Sequence, residues 1–228
     1  MDKINYFQVA LSCSLVIYGF NGKKLLFITE KRNQEPFKGA PMLPSEMVEP
    51  NQDFNEVVES ILVKIFGAVP DHHTEQLKAF TNPYRNAKGR VVNVAQYAVV
   101  SHFAANTKPT PGYQWNEFDD VPKLVFDHNE IMDFSKERLK RRVKRRPIGF
   151  HLLPPEFTFK QIYTLYQLAL RKELDKRNFR NKLFKSDLLI ETDETIAVSA
   201  NKKKSKLYKF NQKEYEKLTL KGYDFSFY

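Results

Sequence analysis

Lys176, Arg177, Asn178, Arg180 and Asn181 fall within six consecutive positions. Cationic side chains neutralise phosphate, the arginine fork matches the major-groove edge of guanine, and an asparagine amide matches that of adenine. Lys202, Lys203, Lys204 and Lys206 form a second basic group, suited to phosphate or minor-groove contact without reading sequence. A different chemistry is available in the first half of the chain. Glu30, Lys31, Ser45, Glu46, Asn93 and Gln96 supply donors and acceptors for a small polar molecule, and Trp115 a stacking face. His72 and His73 are adjacent, so their side chains diverge on an extended chain and a metal site is not expected.

The elements that must hold these residues follow from periodicity. Residues 174–190 read as a short helix with Leu174, Phe179, Leu183 and Phe184 on its inner seam and the basic and amide residues outside. Thr158 can cap a preceding helix over 159–171, whose inner side is Ile162, Leu165, Tyr166, Ala169 and Leu170. Strands at 188–191, 195–199 and 206–210, with a lysine-rich tip between the last two, complete the order of a winged helix-turn-helix. Upstream, residues 8–20 and 23–32 read as strands about an Asn21-Gly22 turn. Residues 77–82 and 90–102 are further strands. Asn93 and Gln96 on the latter would need a partner or ligand if they point inward. Residues 54–67 carry a buried-stripe pattern, with Asp53 and Glu56 spaced as a capping box and Gly67 as the stop. Residues 106–122 read as a loop, 129–146 as a helix with a very basic end, and 150–155 as a linker. The fold class is therefore α+β, with a mixed sheet and helices in residues 1–149 and a winged helix in residues 150–228.

The net charge of +10 is unevenly spread. Residues 136–146 hold eight bases and one acid, and residues 150–228 hold 16 bases and 10 acids. The remainder is net acidic, which assigns a polyanionic partner to the C-terminal part. The single cysteine, Cys13, excludes an internal disulfide framework. No apolar run reaches membrane-helix length and no signal-peptide pattern opens the chain, so a cytoplasmic protein is expected.

Gly39–Ala68 resembles the Nudix hydrolase family, through Gly39-Ala-Pro-Met-Leu-Pro-Ser-Glu-Met-Val-Glu-Pro and the helix that ends at Gly67. The family box, G-x5-E-x7-R-E-U-x-E-E-x-G-U, is eroded. Glu46 stands for its first glycine, Gln52 for its first acid and Ser60 for its arginine. Ile61, Lys64 and Ile65 stand for the remaining acids. A divalent metal on a diphosphate needs hard oxygen ligands converging at offsets of three and four. Two isoleucines and a lysine cannot supply them, so no catalysis, no resident metal and no cofactor are expected. A hydrolase with relocated acids is the enzymatic alternative.

Together with Pro154-Pro-Glu-Phe-Thr158 and Asp175-Lys-Arg-Asn-Phe-Arg180, this eroded box resembles the Nudix-related transcriptional regulators, the NrtR-like family. The resemblance implies a homodimer gripping a palindromic operator in double-stranded DNA, with the Nudix-like half sensing a small molecule. Members are described as sensing ADP-ribose in the control of NAD metabolism, and others as responding to sugars such as arabinose. The missing acids and the net acidic first half favour a neutral sugar, arabinose by resemblance, whose binding releases a repressor of carbohydrate-utilisation genes from DNA. ADP-ribose sensing is the alternative, and an adaptor for RNA or protein through the basic tail is a further one.

Overall fold

The computed structural model describes residues 9–146, 148–197 and 204–221. Its N-terminal half is a seven-stranded mixed sheet. Strand β1 (Ala10–Phe20) turns at Asn21, whose side chain accepts the backbone N–H of Lys23 and Lys24, into β2 (Leu25–Lys31). Gly22 takes φ 91° in that turn, a conformation that strains any residue bearing a Cβ. The short strands β3 (Pro41–Met42) and β4 (Ser45–Met47) pair with β2 and β1 respectively. Helix α1 (Phe54–Phe66) begins on the expected Asp53–Glu56 capping box and ends on left-handed Gly67. Strands β5 (His72–Phe80) and β6 (Val91–Val100) complete one side, with β6 parallel to β1.

Two sequence expectations change here. Strand β5 starts at His72 rather than residue 77, because five polar residues, His72–Gln76, carry no strand pattern of their own and are recruited by pairing with β6. After a short helix α2 (His102–Ala105), the expected loop 106–122 contains strand β7 (Tyr113–Glu117), antiparallel to β2. Pairing to an existing edge outweighs the local Pro and Gly content.

Helix α3 (His128–Arg145) leads to a 3₁₀ turn, Ile148–Leu152, where a linker is expected. Ile148, Phe150 and Leu152 are buried, and Phe150 stacks on Phe210 at 4.2 Å. One hydrophobic core therefore runs from Tyr18 and Phe27 of the sheet, through Met132, Leu139 and Val143, into Leu165, Tyr166 and Phe179 of the C-terminal half. A second core lies between α1 and the other face of the sheet.

The C-terminal half opens with strand β8 (Phe157–Thr158) and helix α4 (Phe159–Leu170). Thr158 caps α4 in a full box with Gln161. Helix α5 (Lys176–Lys185) follows with Asp175 as N-cap, accepting the Asn178 N–H at 2.6 Å. Strands β9 (Leu189–Ala197) and β10 (Lys204–Phe210) pair antiparallel, and β8 joins the far side of β10. The two strands expected at 188–199 are thus one. An unforeseen helix α6 (Gln212–Leu220) is capped by Asn211 and packs Tyr215 and Leu218 on the core. Among the described residues no helix is long and apolar enough to cross a membrane.

Candidate nucleic-acid interface and effector groove

Helix α5 is fixed by Phe179 and Leu183, both fully buried. Phe179 is ringed by Phe159, Tyr163 and Tyr166 at centroid distances of 6.1, 5.7 and 5.1 Å. At about 100° per residue, the direction opposite this anchor belongs to Arg177 and Asn181, flanked by Asn178 and Lys185. All four are exposed. Lys176 and Arg180 lie lower on the flank. Lys176 Nζ sits 6.0 Å from the Tyr163 ring centroid, and the Arg180 guanidinium lies 5.1 and 4.5 Å from those of Phe159 and Phe184. Cation–π stacking holds Arg180 in one orientation. The five expected residues thus divide into an outward crest fit for base edges and a flank fit for the sugar–phosphate backbone. Lys185, which the sequence pattern also places on the outer face of this helix, joins the crest.

Lys204 is exposed at the start of β10, whereas Lys206 is engaged by Glu191 on the neighbouring strand. Lys206 is therefore less free for phosphate than expected. Lys202 and Lys203 lie outside the described residues.

In the N-terminal half the eroded box is internally satisfied. Ile61 and Ile65 are buried in the core beneath α1. The Lys64 ammonium bonds Glu46 Oε1 at 2.6 Å, and the Ser60 hydroxyl donates to Glu46 Oε2 at 3.1 Å. Glu46 is thereby a brace from β4 to α1, its charge offset by a lysine where a metal-bound box would carry an acid. Among the described residues no cluster of three or more His, Cys, Asp or Glu side chains is arranged to hold a metal ion. His72 and His73 do diverge: His73 stacks on His151 at 5.2 Å, while His72 Nδ1 meets the Pro70 carbonyl.

Beside this brace lies a groove of about 230 Å³, lined by Ser12, Ser14, Glu30, Ser45 and Glu46 together with Arg32, Arg85, Lys88, Phe126 and His128. Three of the expected ligand residues, Glu30, Ser45 and Glu46, meet here. Burial and the nearby Glu46 raise the pKa of Glu30. Asn93 sits behind these two serines, fully buried, accepting from the Ser12 and Ser14 hydroxyls at 3.0 and 3.2 Å. It orients groove hydroxyls instead of lining the groove.

The other three expected residues lie elsewhere. Gln96 is buried within β6 and does not line the groove. Lys31 is exposed beside a separate depression against β7. Trp115 points towards α1, with Phe66 at 6.2 Å and its Nε1–H on the Thr107 carbonyl. It presses so close on β1 that a Cβ at Gly19 would fall 2.8 Å from its ring, so it is packing and not a stacking platform in this groove. The pairing of β7 with β2 decides its direction, and the sequence carried no sign of β7.

The sequence reasoning missed the groove's cations. Arg32 Nε donates to the Pro36 carbonyl at 2.6 Å and its guanidinium lies 4.9 Å from the Phe126 centroid. Arg85 gives two 2.8 Å bonds to Asp127. Among the described residues Arg32, Lys88 and the facing Glu30 form no ion pair, so the groove carries a small excess of positive charge although the half that contains it is net acidic.

His128 is nearly enclosed, and its Nδ1 accepts the Leu43 N–H at 3.0 Å. Burial pushes its pKa down to about 4. The unfolded imidazole takes a proton near 6.5, the folded one only near 4. Between these values the unfolded chain binds more protons and stability rises with pH. Urea denaturation is expected to show a loss on the order of 3 kcal/mol as pH falls from about 6.5 to about 4. His128→Gln, which keeps an acceptor for Leu43, should remove that part of the slope.

Residues 149–210 match the family model of the NrtR DNA-binding winged helix domain. An ADPR responsive transcriptional repressor NtrR of Acinetobacter baylyi is 24% identical over 233 aligned positions, covering 99% of this chain and 88% of that one. This chain is similar to NrtR regulators along nearly its whole length. NrtR from Shewanella oneidensis, in complex with a 27mer DNA, superposes with a TM-score of 0.77 at 22% identity, covering 90% of this chain and 95% of that one. The Nudix domain of the same NrtR, complexed with ADP ribose, superposes with a TM-score of 0.52 at 23% identity, over 61% of this chain and 94% of that one. The fold is thus an N-terminal Nudix-like domain with a mixed sheet followed by a C-terminal winged helix, the expected α+β class.

Proposed function

We propose that the chain is an NrtR-type DNA-binding transcriptional repressor whose Nudix-like domain (residues 1–149) binds an ADP-ribose-class effector without hydrolysing it. Residues 150–228 read duplex DNA in the cytoplasm. The observation that carries the DNA-binding part is the outward crest of Arg177, Asn178, Asn181 and Lys185 on a helix anchored by Phe179, within the segment that matches a DNA-binding winged helix. A two-fold assembly would present two such helices to successive major grooves about 34 Å apart on a palindromic operator.

The relatives' ADP-ribose descriptions favour that effector over the free arabinose expected from sequence. Overall charge argued for a neutral sugar, but local charge argues for a phosphate ester: Arg32 and Lys88 line the groove without ion pairs and outnumber the unpaired Glu30 there. Hydroxyls of Ser12, Ser14 and Ser45 in the same groove suit a ribose.

The test is a duplex selected from a random pool by the purified protein. ADP-ribose is expected to release the protein from it, arabinose to leave it bound, and magnesium with ADP-ribose to yield no cleavage products. Release by arabinose alone would restore the sugar reading. Steady magnesium-dependent turnover would restore the hydrolase. Equal grip on scrambled duplex would remove the sequence-reading role.

A further inference from the structure

Two imidazoles meet where the Nudix-like half joins the winged helix. His73, on β5, stacks on His151, in the 3₁₀ turn that opens the C-terminal half, with centroids 5.2 Å apart and planes 15° from parallel. The pair lines a cavity of about 60 Å³ with Arg146 from the end of α3 and with Phe210 and Tyr215. The turn that carries His151 is otherwise held by apolar contact, through Ile148, Phe150 and Leu152. The stack is thus a polar, titratable element in an apolar joint.

The charges around the stack balance only while the rings are neutral. On the β5 side, His73 Nε2 meets Glu75 Oε1 at 3.3 Å, and Asp71 acts electrostatically on His151. Arg142 of α3 bonds the other oxygen of Glu75 at 2.6 Å. Arg146 is exposed and forms no ion pair among the described residues. From the C-terminal side, Tyr215 of α6 and the apolar ring of Phe210 close the cavity. Two carboxylates therefore stand against two guanidinium groups. Protonating both imidazoles adds two positive charges, face to face at a separation where like charges repel. Packing around its ring lowers the pKa of His151, the neighbouring His73 lowers it further, and Asp71 opposes both.

We propose that the His73–His151 stack is a pH-sensitive joint that holds the winged helix in its DNA-reading placement while both rings are neutral. This rests on the DNA-binding reading above and adds a second input to it. Protons bind better to an arrangement in which the rings have parted than to the stacked one. As pH falls through the histidine range, the parted arrangement gains population. The sign of the effect separates the joint from general electrostatics. All five histidines lie outside α4, α5 and the lysine-rich wing, and added positive charge on the protein strengthens its attraction to DNA. A parted joint weakens operator binding instead, because the two winged helices of a two-fold complex must match the half-site spacing.

The experiment is a fluorescence-anisotropy titration of the selected duplex with the full chain at about pH 7.5 and about pH 6.0, at constant ionic strength. Affinity is expected to fall by about 5-fold on acidification, the lower end of ordinary coupling between sites, since both rings keep an edge in water. His151→Gln, uncharged at both pH values, should lose that fall. His72→Gln should keep it, because the His72 ring bonds the Pro70 carbonyl outside the stack. Proton NMR of the imidazole Cε1–H signals gives an independent readout. There His73→Gln should move the His151 titration midpoint upward, since a like-charged neighbour is gone. A wild-type affinity that holds or rises on acidification, a fall that persists in His151→Gln, or a His151 midpoint unmoved by His73→Gln would overturn the joint while leaving the DNA-reading role intact. Equal grip on selected and scrambled duplex at both pH values would remove that role, and the joint's control of it as well.

Discussion

Arg177→Ala is expected to weaken binding to the selected duplex by roughly 10- to 100-fold per half-site, the 1–3 kcal/mol of a bidentate arginine–guanine contact. In a two-fold complex the loss is incurred twice. The guanidinium stands on the face of α5 turned away from Phe179, so removing it vacates no core volume and the melting temperature should hold. The variant should also discriminate less between the selected duplex and one altered at a single guanine. Arg180→Ala provides the contrast. Its guanidinium is stacked on Phe159 and Phe184 at the side of the helix, so its loss should weaken all duplexes alike and reduce the salt dependence by about one phosphate contact. Competition gel-shift titrations at two salt concentrations separate the two. Uniform weakening by Arg177→Ala would move it to the backbone-contacting set.

Asp127→Ala is expected to destabilise the fold by about 3–5 kcal/mol, the cost of breaking a buried ion pair from one side. Arg85 is 7% exposed and gives two hydrogen bonds to the Asp127 carboxylate. Without that carboxylate a guanidinium remains, largely cut off from water. Although Asp127 is the N-cap of α3, its side chain makes no capping bond. The stability at stake therefore lies in the ion pair and not in helix initiation. Urea denaturation of Asp127→Ala, of Arg85→Ala and of the double variant closes a thermodynamic cycle. The double variant should be more stable than Asp127→Ala alone, because the orphaned charge is gone. A loss below about 1 kcal/mol for Asp127→Ala would mean that the pair behaves as a surface bridge.

Both effects act on one path. His128 lines the groove and, after the N-cap Asp127, begins α3, whose buried face, with Met132, Leu139 and Val143, shares a core with α4 and α5. Arg171 at the end of α4 also pairs with Asp119, just beyond β7, at 3.0 Å. A ligand that prefers one placement of the groove's edge thus has a packed route to the recognition helix, as a population shift requires.

What the sequence determined by itself was whatever depends on near neighbours. The α1 stripe, its Asp53–Glu56 box and Gly67 stop, the Thr158 cap and the Phe179 and Leu183 seam of α5 are set by offsets of three and four residues and by local hydrogen bonds. The same locality made the loss of the box acids legible, since Ile61, Lys64 and Ile65 occupy a single helix face. Tertiary structure alone decided the rest. Strand β7 and the start of β5 exist because distant edges pair with them, and β7 in turn aims Trp115 at α1 instead of at the effector. Arg32, just past β2, and Arg85 and Lys88, from the loop between β5 and β6, are brought to one groove only by the closed sheet. The charge of a whole half-chain could not foretell this, because electrostatic attraction at a site depends on which charges lie within a few ångströms and which of them are already paired.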